Sequence, residues 1–130
     1  MKNSVAILLF LTFFSPVFLA DSIDKVAALL QQGQVHELIT MSAASIELNI
    51  LDDEKVVAKA QAETLLNNFF AANKPVSVKV IHRMDTNPNL LYAVAQLRTS
   101  NGNFRISYSL KNRNGNQELT ELRIEAEKAR

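Results

Sequence analysis

His82 and Tyr108 are the two side chains of this 130-residue chain best suited to acid–base chemistry. An imidazole can take a proton near neutrality and a phenol can polarise a carbonyl, so together they would serve a small isomerase or hydratase. His82 sits in the alternating run Val76, Val78, Val80, His82, Met84, which gives it the parity of a buried strand face. Thr120 is the hydroxyl that could join them as a nucleophile, although the spacing between strands argues against direct contact. Metal chemistry finds little support, because the chain has no cysteine and its two histidines, His36 and His82, lie in different elements. No HExxH, glycine-rich phosphate loop, GxSxG or EF-hand loop occurs, so no metal and no cofactor is expected.

The elements that would hold these residues follow from periodicity. Ile23, Val26, Ala27 and Leu30 form a helical stripe over Ile23–Gln32, with Asp24 near its start and Gly33 at its stop. A short helix over Val35–Met41 follows, and Ser45–Leu51 alternates as a half-buried strand ended by Asp52 and Asp53. A long helix is expected from Lys55 to Ala72, with Ala58, Ala62, Leu65, Leu66, Phe69 and Phe70 on one side. Asp52, Asp53 and Glu54 then read as a loop and as charges favoured by the helix dipole. Lys74 before Pro75 turns the chain extended. Beyond it come strands over Val76–Met84, Leu90–Thr99, Phe104–Lys111 and Glu118–Glu125, separated by the turn signals NPN, SNGN and NRNGN. The expected fold class is α+β, in the order α-α-β-α-β-β-β-β, with helices on one face of a curved antiparallel sheet.

Turn chemistry suggests a register. A two-residue turn at Asn101-Gly102 pairs Leu97 with Ile106, Ala95 with Tyr108 and Ala93 with Leu110. A three-residue loop, Arg113-Asn114-Gly115, pairs Ile106 with Leu122 and Phe104 with Ile124, whereas a two-residue turn there would put Leu122 and Ile124 on the wrong face. Met84 opposite Leu91 sets His82 beside Ala93 and Val80 beside Ala95. One end of the inner face is then bulky, with Val76 among its residues. At the other end small Ala93 and Ala95 are ringed by His82, Tyr108, Glu118 and Thr120 under Phe69 and Phe70. Small residues with convergent polar groups describe a ligand hollow, for which the polar residues are candidate lining. The alternative is that the phenylalanines fill the gap and that His82 and Tyr108 satisfy each other or the backbone.

On the outer face the same registers set Arg98, Arg105 and Arg123 abreast, a candidate anion or partner contact unless Glu121 and Glu125 neutralise it. Ile81 and Val94, with Tyr92 and Leu119 nearby, form a candidate patch for a homodimer.

Composition bounds the class. A 48% hydrophobic content over 130 residues suits one globular domain, and a net charge of +1 without blocks of like charge argues against nucleic acid as a partner. Lys2 followed by an apolar run from Val5 to Phe14, with Ser15, Pro16, Ala20 and Ser22 after it, has the pattern of a signal peptide. The run is shorter than the roughly 20 residues that span a bilayer, so no membrane anchorage is expected after cleavage. Cleavage after Ala20 would leave bulky Phe18 at the minus-three position, while cleavage after Ser22 presents the small pair Ala20 and Ser22. The expected division is a signal peptide over 1–22 and one domain over 23–130, secreted or periplasmic and free of disulfides.

At AQAETLLNNFFAANKP, IHRM, LYAVAQLRTSNGNFRISYSLK and ELRIE the chain resembles an exported bacterial family, domain of unknown function 4783. That family lies within the nuclear transport factor 2-like, cystatin-like superfamily, and the likeness spans roughly Ile23 to Glu125. The resemblance implies a cone of helices over a bent sheet and carries over no catalytic or ligand residues. Fold analogy alone allows isomerases, dehydratases and binding domains. The combined expectation is a non-catalytic module that binds a small hydrophobic ligand or a protein. The alternative is an isomerase or hydratase acting through His82 and Tyr108.

Overall fold

A computed structural model describes residues 21–127, so the expected signal peptide lies outside the described residues except for Asp21 and Ser22. The first apolar stripe folds as α1, Ser22–Gln31, with Ile23, Val26, Ala27 and Leu30 buried. Asp21 caps it by accepting the Asp24 amide at 2.9 Å, which satisfies a donor that the first turn leaves free. The helix closes where Gln34 N–H donates to the Leu29 carbonyl and Gly33 N–H to that of Leu30. Gly33 adopts φ 65°, the left-handed conformation that this closure requires. A Cβ there would meet Pro75 Cγ at 3.4 Å, an ordinary contact, so the backbone conformation rather than space calls for glycine.

After α2, Val35–Thr40, the chain forms β1, Ser42–Ile50, and then an element that periodicity did not suggest: β2, Asp53–Ala58. Ile50 pairs with Asp53 across a two-residue turn, Leu51-Asp52, in which both residues have positive φ. Such turns match strand twist but usually carry Asn-Gly, so the hairpin was hidden in ordinary residues. Helix α3 therefore begins at Lys59, not Lys55, and runs to Ala72. Asp53 and Glu54 belong to a strand rather than to a helix N-terminus, so the dipole role expected for them does not apply.

The chain continues through β3, Pro75–Met84, β4, Leu90–Thr99, β5, Gly102–Arg113, and β6, Asn116–Ala126. Among the described residues the six strands form one sheet in the order β2-β1-β6-β5-β4-β3. β1 runs parallel to β6, and every other pair is antiparallel. α1 packs on β3 and β4, and α3 packs on β1 and β2. This is the expected α+β cone with one strand added, and its sheet is mixed rather than wholly antiparallel.

Each expected register needed adjustment. The β4–β5 turn is Ser100-Asn101, so Leu97 faces Phe104, Ala95 faces Ile106 and Ala93 faces Tyr108. The Thr99 hydroxyl donates to the Gly102 carbonyl at 2.7 Å and accepts from Asn101 N–H, which fixes the turn two positions from the expected pairing. The β5–β6 turn is the two-residue Asn114-Gly115, with both residues at positive φ. Leu122 and Ile124 still reach the core, because the register shifts between Leu110↔Leu119 and Ser109↔Glu121, leaving Thr120 as an extra, unpaired residue. In β3 the pair Val80–Ala95 forms as expected, but Ile81 bulges out and His82 then pairs with Val94. A second shift at Val76 leaves that side chain exposed, not in the bulky end of the core.

Candidate functional site

The floor of the expected hollow is occupied. Ala93 and Ala95 have no exposed surface, and Tyr108 keeps only 1%. α1 lies over them, and the Tyr108 hydroxyl donates to the Ile23 carbonyl at 2.7 Å. Burial pushes the phenol well above its ordinary pKa, with Asp24 adding to the shift and Arg83 opposing it. Phe69 and Phe70 are buried at the end of α3, their rings meeting edge to face at 5.3 Å. Phe69 meets Phe104 in the same manner at 5.1 Å. The helix-face assignment of the two phenylalanines holds.

The imidazole does not join them. The bulge at Ile81 turns His82 to the outer face, where it is exposed opposite Val94, and brings Arg83 into the inner row beside Ala93 and Tyr108. Arg83 bonds Asp21 at 2.6 Å and also donates to Asp24. The Asp24 bond is the chief reason its pKa stands above the ordinary value. His82 and Tyr108 thus occupy opposite faces of the sheet, and no proton could pass directly between them.

The remaining candidates also separate. Leu119, opposite Leu110, carries the core parity, so its neighbours Glu118 and Thr120 leave the inner row. Glu118 pairs with Lys111 and lies 3.9 Å from Arg113. The Thr120 hydroxyl donates to the Ser109 carbonyl at 3.4 Å. The three arginines do not stand abreast: Arg105 faces Gln96 and Glu125, Arg123 faces Ser107, and Arg98 faces Asn103. Arg123 also meets Glu125 at 3.4 Å, so acids interleave with these cations. In the outer aliphatic patch Ile81 is 46% exposed, but Val94 is buried and Leu119 belongs to the core.

Open space lies elsewhere. A cleft of about 320 Å³ runs between α3 and the β1–β2 hairpin, walled by Leu48, Ile50, Leu65, Phe69 and Ala72. Asp53, Lys55, Asn68 and Asn73 edge it, with Lys55 and Asp53 paired at 3.3 Å. Asn73 holds the end of α3 by donating its side-chain amide to the Phe69 carbonyl. Sequence reasoning placed Phe69 in a cavity but missed this one, because one wall is the strand β2 that had been read as loop and helix. A larger cleft of about 890 Å³ lies at the start of α1, bordered by Asp21, Lys25, Thr40, Asp85, Leu91 and Glu118. Its lining is mostly polar. Among the described residues no group of three or more histidines, cysteines or acids is placed to hold a metal ion.

Residues 23–125 match the family described as Domain of unknown function (DUF4783). The chain belongs to the DUF4783 family. A DUF4783 protein from Bacteroides uniformis superimposes with a TM-score of 0.79 at 22% identity, covering 84% of this chain and 100% of its own. A second, from Bacteroides ovatus, gives 0.75 at 24% identity over 80% of this chain and 94% of its own. A nuclear transport factor 2-like protein from Cytophaga hutchinsonii gives 0.59 at 13% identity, covering 81% and 92%, which shows likeness of fold alone. No curated protein matches the chain.

Proposed function

We propose that this DUF4783 chain is an exported, non-catalytic module that binds a small, largely apolar molecule in the cleft between α3 and the β1–β2 hairpin. One contrast carries the reading. The central hollow is filled by α1, while the neighbouring cleft stays open beside the Phe69 ring, which makes two edge-to-face contacts. Its volume of about 320 Å³ lies at the small end of the range for ligand sites, and its mix of aliphatic walls with a few polar edges is typical of them. Lys55 and the amides of Asn68 and Asn73 would orient a polar end of the ligand. The acid–base reading loses support because its two residues lie on opposite faces.

The test uses an exposed helix position. Ala72 borders the cleft and is exposed, so Ala72→Trp adds bulk to the opening without disturbing the core. Titration with the apolar probe 1-anilinonaphthalene-8-sulfonate should give saturable fluorescence with the natural chain. The variant should bind at least about ten-fold more weakly, a loss of about 1.4 kcal/mol, while its melting midpoint is unchanged. Equal binding by both chains would place the probe elsewhere and remove the basis of this assignment.

A further inference from the structure

The start of α1 bears on where the leader is removed. The small pair Ala20 and Ser22 favours a cut after Ser22, yet the fold uses what that cut would discard. Asp21 accepts the Asp24 amide at 2.9 Å, its backbone carbonyl accepts Lys25 N–H at 3.0 Å, and its second carboxylate oxygen accepts from Arg83 at 2.6 Å. Arg83 in turn stands in the inner row beside Tyr108, whose hydroxyl grips the Ile23 carbonyl. Asp21 is thus the cap of the first helix and one side of the clamp that closes it onto the sheet.

We propose that export processing cuts between Ala20 and Asp21, so that Asp21 is the first residue of the mature domain. The inference rests on the export reading and specifies its product. Charge supports it as well as hydrogen bonding. Asp21, Asp24 and Asp85 all approach the single guanidinium of Arg83, the last at 3.9 Å, which leaves an excess of negative charge at this corner. A new ammonium on exposed Asp21 falls among those acids. The same ammonium on Ile23 would lie inside the first turn with the capping carboxylate of Asp21 removed, which leaves only Asp24 in that turn to answer its charge. Phe18 at minus three is the local mismatch this cut accepts, while Ala20 at minus one suits it.

Expression of the full chain in a Gram-negative host, followed by intact mass and N-terminal sequencing of the exported protein, decides the matter. The expected product begins at Asp21. A product beginning at Ile23, or at any other residue, overturns this inference and leaves the export reading standing; an uncut chain overturns both. As an independent check, chains 21–130 and 23–130 can be released with native ends from a removable tag. The shorter chain should melt about 5 °C lower or more, given the loss of a helix cap. Identical midpoints would remove the physical ground for the assignment.

Discussion

One inserted residue in β3 sends His82 to the outer face and brings Arg83 into the inner row. Alternation along β3 is read correctly up to Val80, and the bulge at Ile81 then reverses the face of every residue that follows. A bulge leaves no mark in hydrophobic pattern, so alternation alone gives the histidine the parity of the buried face. His82→Ala should therefore change stability by no more than about 0.5 kcal/mol. Arg83→Met should lower it by about 1 kcal/mol, since the pairs it breaks are half-exposed, and denaturant titration of both variants checks the order. Tyr108 offers a test by pH. In the unfolded chain its phenol ionises near 10, whereas in the fold burial keeps it neutral to higher pH. The stability from this burial is complete below pH 10 and declines as pH rises beyond it. Tyr108→Phe should cost about 1 kcal/mol at neutral pH through the lost hydrogen bond. The gap between the two proteins should narrow above pH 10, and a gap that stays constant would contradict the assignment.

At the scale of elements, the features set by apolar spacing were legible and the registers set by turns and bulges were not. The α1 stripe, the Phe69–Phe70 face of α3 and the four-strand meander all follow from apolar spacing. The β4–β5 register erred by two residues, and unseen bulges displaced the β3–β4 and β5–β6 registers. A slip of two keeps apolar opposite apolar, so pattern cannot reject it. β2 escaped notice because Leu51-Asp52 lacks the glycine that usually marks such a turn. Two non-glycine residues at φ 51° and 72° also carry strain. Replacing them together, Leu51→Asn with Asp52→Gly, should raise stability by about 1 kcal/mol or more. Thermal melting of the double variant tests this, and a decrease would mean that Leu51 supports the sheet through contacts of its own.

For the whole molecule, the cone was predictable and its contents were not. Small Ala93 and Ala95 marked the place where another element approaches closely, but sequence could not tell a ligand from the first helix. The cluster of Phe69, Phe70 and Phe104 ties α3 to the sheet. Phe70→Ala should cost about 3 to 5 kcal/mol, as large core truncations do. An unfolding midpoint unmoved by that substitution would deny the helix its anchoring role.

The parallel pairing of β1 with β6 sets a schedule for assembly. β6 lies between β1 and β5, so early and late parts of the chain meet at the middle of the sheet. A chain that emerges N-terminus first delivers β1, β2 and α3 before their neighbour β6. Until then the front half can form only its local hairpin and helices. Closure of the sheet is thereby coupled to release of the final strand, so a stalled or truncated chain cannot pass for a finished one.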